Sequence, residues 1–165
     1  MVVLVGLPGS GKSTVGRQLA RLRRLPFTDS DAVIERRIGC SIRDFFDSRG
    51  EEAFRQIEQE VLDEWCNAAT GILSTGGGIV LKEENRTRLI AYPGQVIYLH
   101  VPSQVLARRL RHDVQRPLLQ VQNPADKLRE LYEKRDPLYR EVASAVVDGT
   151  HRSANAVAAL ISARI

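Results

Sequence analysis

Short, unbroken apolar runs alternate along this chain with longer stretches in which apolar residues recur at helical spacing. "VVLV" at 2–5 contains no polar position, as expected of a strand buried on both faces. A helix is predicted from Lys12 to about Leu25, and "PFTDSD" predicts a short second strand ending near Asp29. Residues 31–68 predict helix in two pieces: Ser41 can cap a short one, and the region of Gly50 begins a longer one. In the longer piece Phe54, Ile57, Val61, Leu62 and Trp65 fall at i, i+3, i+7, i+8 and i+11, which predicts one apolar face. Further strands are predicted at 71–75, 95–101 and 145–148, and further helices at 83–91, 103–111, 125–136 and 153–164. The stretch "HDVQRPLLQVQNP", from His112, is polar and interrupted by proline, and predicts a mobile loop.

Strands alternating with helices predict an α/β fold, a five-stranded parallel sheet flanked by helices. On such sheets ligands bind beyond the carboxyl ends of the strands, so the strand-end loops are where chemistry is sought. The first of them is "GLPGSGKST" (6–14), which fits G-x-x-x-x-G-K-[ST] at Gly6, Gly11, Lys12 and Ser13. It follows a strand and opens a helix, the context the motif requires. Its glycines let backbone N–H groups converge on phosphate oxygens; Lys12 reaches the β- and γ-phosphates, and the Ser13 hydroxyl suits Mg²⁺. A nucleoside triphosphate site follows, but not its use.

Composition narrows that use. With 165 residues, 43% hydrophobic and 27% charged, the chain is expected to form one domain with a substantial core. No apolar run approaches the roughly 18–20 residues that span a bilayer. The chain passes from Met1 directly into a strand, so no targeting segment is expected, and a cytoplasmic protein with no membrane partner is. Cys40 and Cys66 have no metal-ligand spacing, and His100, His112 and His151 form no metal or triad signature. Of 24 basic residues only Lys12, Lys82, Lys127 and Lys134 are lysine. The arginines are spread along the chain and aromatics are only 5%, which disfavours a nucleic-acid surface. Arginine equally suits bidentate capture of a small anionic ligand.

No N-K-x-D segment specifies guanine, and the chain is short for a motor ATPase, which leaves a small-molecule kinase. Its acceptor site would draw on "DSD", "FRQIE" and "KRDPLYRE". Asp29 and Asp31, two apart in extended chain, would project the same way at a strand end, one toward the metal's water shell and one toward an attacking hydroxyl. The same spacing also suits an Asx turn and helix cap, and Asp31 could do both jobs. Arg55 and Glu58 lie one helical turn apart, either as an exposed ion pair or as part of an anion site. Arg135 is either a solvated helix end or a second arginine for an acceptor carboxylate. Arg116 in the polar loop is either solvated or able to close over phosphates. "ILSTGGGIV" (72–80) places three bare glycines where many nucleotide-binding enzymes end a strand with an acid. Here "DSD" is expected to supply the carboxylates, and the glycines to let backbone N–H groups and a small acceptor approach the γ-phosphate.

"GLPGSGKST", "DSD", "FRQIE", "STGGG", "QRPLL" and "RDPLYRE", taken in order, resemble the shikimate kinase family over nearly the whole chain. The resemblance implies a P-loop kinase architecture of the nucleoside-monophosphate-kinase type, a single domain over 1–165 with a substrate-binding region near 31–60 and a mobile lid near 111–123. It implies ATP-dependent phosphorylation of the 3-hydroxyl of shikimate, in the route to chorismate and the aromatic amino acids, by a monomer using Mg²⁺. Carried over by position, Gly9, Ser10, Gly11, Lys12, Ser13 and Thr14 would bind ATP. Ser13 would ligate the metal and Asp29 support it through water. Asp31 would bind the reacting hydroxyl as candidate base, with Lys12 and Arg116 also acting in catalysis. Arg55 and Arg135 would hold the shikimate carboxylate with the Gly77 and Gly78 backbone, Glu58 would orient Arg55, and Arg116 would touch the phosphates. Arg109 and Arg152 would flank the adenine. Two rivals stay open: a kinase for another hydroxy acid such as gluconate, and a catalytically silent nucleotide-binding module on the same fold.

Overall fold

The structure, a computed structural model, describes residues 1–68, 71–111 and 123–165. In chain order the elements are β1 (Val2–Val5), α1 (Lys12–Arg23), β2 (Phe27–Asp29), α2 (Ser30–Ile38), α3 (Ile42–Ala68), β3 (Ile72–Ser74), α4 (Glu83–Ile90), β4 (Gln95–His100), α5 (Ser103–Leu110), α6 (Pro124–Val142), β5 (Ala145–Asp148) and α7 (Ala154–Ser162). The five strands form one parallel sheet in the order β2-β3-β1-β4-β5. The chain leaves β1 toward one edge for β2 and β3, then crosses to the other side for β4 and β5. The carboxyl end of β1 therefore lies at the switch point where ligands collect on such sheets.

Strand alternation explains why both faces are covered. Val3 and Val5 of β1 pack with Leu73, Val96 and Tyr98 under α3–α6, whereas Val2 and Leu4 pack with Ile72, Ile97 and Leu99 under α1 and α7. All four β1 residues are fully buried, which is why that run needs no polar position. A third, smaller cluster of Ile34, Phe54 and Val61 joins α2 to α3 beside the main body.

Several expectations change in detail. The predicted single apolar face of the long helix is divided: Phe54, Ile57 and Val61 serve the small α2–α3 cluster, while Leu62 and Trp65 serve the main core. Helix α6 does not stop at 136 but continues through Pro137 to Val142. Proline removes one backbone donor, yet Leu128, Leu131, Arg135, Tyr139 and Val142 form a continuous buried stripe, and that burial outweighs the lost bond. Finally, β2 ends at Asp29 and Ser30 already begins α2, so Asp31 stands in a helix rather than in extended chain. The helix expected over 31–68 has one break more than predicted, at Gly39 after α2; the other two features hold, as Ser41 Oγ accepts from Asp44 N at 3.0 Å and Gly50 breaks the helical path with φ 80° and ψ 171°. The expected lid, apart from Arg111 and Asn123, falls outside the described residues, and so does Arg116.

Candidate active site

The phosphate loop bridges β1 and α1. Gly9 and Gly11 have φ 79° and 94°, backbone that side chains disfavour, and Gly11 caps α1 without a side-chain bond. The first N–H groups of α1 are thus directed at the loop, together with the positive end of the helix dipole. The Lys12 ammonium donates to the Gly6 carbonyl at 2.8 Å and to the Leu7 carbonyl at 3.0 Å, which places it under the loop's arch. Ser10, within the same loop, is buried.

Beyond Ser13 the oxygens gather. The Ser13 hydroxyl donates to Asp29 Oδ2 at 2.6 Å and lies 3.1 Å from the Ser74 hydroxyl. Asp29, not Asp31, is the cap of α2, its Oδ1 accepting from Asp31 N at 3.1 Å. The predicted "DSD" pair is therefore built differently: the strand end holds Asp29 beside Ser13, and the first helical turn places Asp31 in the same cleft. Ser30 between them accepts from Gly76 N at 3.0 Å and so ties the α2 start to the glycine run.

On the far wall Arg55 is almost fully buried. Its Nη1 donates to Glu58 Oε2 at 2.6 Å, its Nη2 to Glu51 Oε1 at 3.1 Å and its Nε to the same oxygen at 3.3 Å. Its guanidinium carbon lies 5.1 Å from the Phe54 ring centre and 6.0 Å from that of Phe46. Burial works against this charge, but Glu58 and Glu51 outweigh it and raise the pKa, so Arg55 stays protonated. Burial also pushes the Glu58 carboxyl upward, against the pull of Arg55, with Asp31 adding repulsion. Glu58 Oε1 is buried and has no hydrogen-bond partner among the described residues. Arg135 enters from α6 and donates from Nη1 to the Gly77 carbonyl at 2.9 Å; the Tyr139 hydroxyl donates to the same oxygen.

The glycine run meets all of these groups at once. A methyl group on Gly76 would lie 2.8 Å from Glu58 Oε1 and 2.9 Å from Asp31 Oδ1. One on Gly77 would lie 2.7 Å from Pro8 Cδ of the phosphate loop, and one on Gly78 2.1 Å from Arg55 Nη1. None of the three has positive φ, so the requirement is for space and not for unusual backbone. The close approach is made by the protein's own side chains, a reason the bare sequence did not supply.

One cleft of about 800 Å³ is lined by Gly9, Gly11, Lys12, Ser13, Thr14, Asp29, Asp31, Arg55, Glu58, Gly77, Gly78 and Arg135. Those sequence-predicted residues are thus brought together. Arg109 is not in it: its Nη2 donates to the Gly149 and Thr150 carbonyls at 3.0 and 3.2 Å, and its Nη1 to the Gly9 carbonyl at 3.4 Å. It joins the back of the phosphate loop to the end of β5. Arg152 is exposed nearby, beyond Asp148. Sequence reasoning missed Glu51, Ser74 and Tyr139. Ser74 left a signal, a hydroxyl at the end of an otherwise apolar strand beside the phosphate loop.

Chemically, the near end of the cleft presents Ser13, Asp29 and Ser74, an all-oxygen set with one carboxylate, suited to a hard cation that keeps water and borrows phosphate oxygens. Among the described residues no cluster of three or more His, Cys, Asp or Glu side chains offers an alternative, and no helix is long and apolar enough to cross a membrane.

Comparison with known proteins places this arrangement. A family model described as shikimate kinase matches residues 8–165. The shikimate kinase of Paracidovorax citrulli (strain AAC00-1) is 56% identical over 160 residues, 96% of this chain and 86% of that protein. The solved shikimate kinase from Acinetobacter baumannii in complex with shikimate superposes with a TM-score of 0.93 at 44% identity, covering 97% of this chain and 89% of that one. A gluconokinase from Sinorhizobium meliloti 1021 has a TM-score of 0.57 at 21% identity, a likeness of fold alone.

Proposed function

The chain belongs to the shikimate kinase family, and from that premise we propose that it transfers the γ-phosphoryl group of ATP to the 3-hydroxyl of shikimate, giving shikimate 3-phosphate and ADP in the route to chorismate. The observation that carries this reading is the convergence on one cleft of the phosphate loop, the Asp31 carboxylate and the two arginines Arg55 and Arg135. A phosphate donor, a hydroxyl and a carboxylate are the three groups such a cleft would accept.

Arg55 and Arg135 bind the acceptor's carboxylate at the far wall, with the Gly77 and Gly78 backbone beneath it and Glu58 holding Arg55. That anchorage brings a ring hydroxyl to Asp31, which accepts its proton as the oxygen attacks phosphorus in line. Lys12 and the N–H groups of residues 9–14 hold the phosphates and offset the charge that grows on them. Mg²⁺ is the cation that fits the oxygen set of Ser13 and Asp29; bound with ATP it would neutralise phosphate charge. Arg116, in a lid over about 111–123, is assigned to the phosphates. Arg109 and Arg152 are assigned to the adenine, a role favoured for Arg109 by its contact with the back of the phosphate loop. Residues 31–60 are read as the acceptor-binding region of one P-loop kinase domain over 1–165, working as a cytoplasmic monomer.

The test is direct. Incubation with Mg·ATP and shikimate should give a product heavier by one phosphoryl group, with a phosphomonoester resonance in the phosphorus NMR spectrum. Gluconate run in parallel should give none. Phosphorylation of gluconate in preference to shikimate, or ATP binding with no product from either, would overturn the assignment.

A further inference from the structure

Arg55 does not present an open fork to the cleft. The edge formed by Nε and Nη2, the pair that grips a carboxylate bidentately, is closed by one oxygen of Glu51 at 3.3 and 3.1 Å. The other terminal nitrogen, Nη1, is bonded to Glu58. The two acidic partners are unequal. The Glu58 side chain is 1% exposed and cannot leave without abandoning a charge in the interior, whereas the Glu51 side chain is 48% exposed and can turn into water. Glu51 also directly follows Gly50, whose φ of 80° and ψ of 171° form the joint between the two pieces of α3.

We propose that Glu51 is a specificity-determining residue, a stand-in carboxylate that holds the Nε–Nη2 fork of Arg55 and yields it to the carboxylate of the acceptor. This rests on the kinase reading given above. Arg55 is buried between Phe46 and Phe54, where a guanidinium short of acceptors is costly. An exchange of one carboxylate for another keeps the fork paired at every stage. The exchange has a consequence for recognition. An acceptor's carboxylate gains only the difference between its own bond to Arg55 and the bond that Glu51 gives up. Glu51 therefore weakens binding of the acid, while an uncharged analogue, which leaves the Arg55–Glu51 pair in place, is unaffected. The residue thus sets how strongly the site distinguishes an acid from its neutral amide.

The experiment compares wild type with Glu51→Gln and Glu51→Asp, measuring KM for shikimate and Kd for shikimate and for its carboxamide by calorimetry. Glutamine removes the competing charge; aspartate keeps it but withdraws it by one methylene. Both variants should lower the shikimate KM and Kd by about fivefold, the upper range for a half-exposed ion pair. The carboxamide Kd should move less than twofold, so that the acid-to-amide ratio rises. An unchanged or raised shikimate KM in both variants would show that Glu51 supports Arg55 instead of competing for it, and would overturn the proposal. Wild type that phosphorylates shikimate while the variants fail this test sinks only the role of Glu51; wild type that does not phosphorylate shikimate sinks the kinase reading as well.

Discussion

At the scale of single residues, the glycine run divides into three positions with three different neighbours. A methyl group at Gly78 meets the guanidinium of Arg55, which is buried and bonded to Glu58, so it cannot turn aside without breaking a buried ion pair. Gly78→Ala should therefore lower the melting temperature and also raise the shikimate KM by about tenfold, the loss of one charge-assisted hydrogen bond. A methyl at Gly77 meets the ring of Pro8, with the Pro8 backbone nitrogen 3.3 Å away, so the phosphate loop itself must move. Gly77→Ala should raise the ATP KM instead. The same change in KM for both substrates in both variants would show that the run acts as one floor. Asp31 offers a sharper test of chemistry. Asp31→Asn keeps the shape of the α2 start, because the cap is Asp29 Oδ1 bonded to Asp31 N. Turnover should fall by about 10²–10⁴, the usual worth of a positioned base, with ATP affinity retained. Near-normal turnover would remove Asp31 from the reaction. Most of these residues were legible in the sequence because the phosphate loop, "DSD" and "FRQIE" each carry a fixed chemical spacing. Glu51 was not, because an acidic residue on a helix is ordinary until a buried arginine is placed beside it, and the signal of Ser74, a hydroxyl ending an apolar strand, gains meaning only beside the Ser13 hydroxyl.

At the scale of elements, α6 is where local rules and tertiary structure disagree. Pro137 is a stop signal in sequence, yet the helix passes it because α6 is fastened to the sheet on both sides of that position. Tyr98 of β4 donates to Asp136 Oδ1 at 2.9 Å, His100 Nε2 lies 2.8 Å from the Tyr132 hydroxyl, and Tyr139 reaches Gly77. No periodicity in the chain announces such cross-links, whereas the strands and the start of each helix follow from apolar runs and caps and were placed nearly correctly. Asp136 also makes a pH prediction. Burial alone would raise its pKa, but the bonds from Arg140 and Tyr98 outweigh burial and hold it below the usual carboxylate range. A carboxylate with a depressed folded-state pKa contributes stability that is full above its unfolded value, about 3.9, and is lost as pH falls through the folded value. Asp136→Asn should therefore melt lower than wild type at pH 7, by about 2–4 °C for about 1 kcal/mol, the upper range for an ion pair with a half-exposed partner, in a domain of this size. The gap should begin to narrow as pH falls below about 4 and close only below the lower, folded-state value. A gap of the same size at both pH values would mean that Asp136 acts through packing and not through its charge.

At the scale of the whole molecule, the cleft is the meeting place of parts with separate cores. The sheet, with its two covered faces, carries the phosphate loop and Arg135, while Arg55 stands on the small α2–α3 cluster of Ile34, Phe54 and Val61. That cluster buries far fewer apolar residues than either face of the sheet, and α3 is jointed at Gly50, between Phe46 and Phe54, which both line the cleft. Regions with small cores open at lower free energy than the body they are attached to. In hydrogen exchange, amides of α2 and the first part of α3 should therefore exchange faster than those of β1, β3 and β4. An acceptor whose carboxylate is held by Arg55 on one side and Arg135 on the other would bridge the two parts, and a ligand bound only by the closed arrangement stabilises it in proportion to ln(1 + [L]/Kd). Shikimate at about 100 times its Kd should thus slow exchange across 30–60 by up to about a hundredfold, with little change in β1 or β4, whose amides already open only with the whole fold. Arg135→Ala should retain the fast exchange of α2 when shikimate is added at the same concentration. If shikimate instead slowed exchange equally in the sheet and in the α2–α3 cluster, the two would open as one unit, and the acceptor would stabilise the fold as a whole without joining two parts of it.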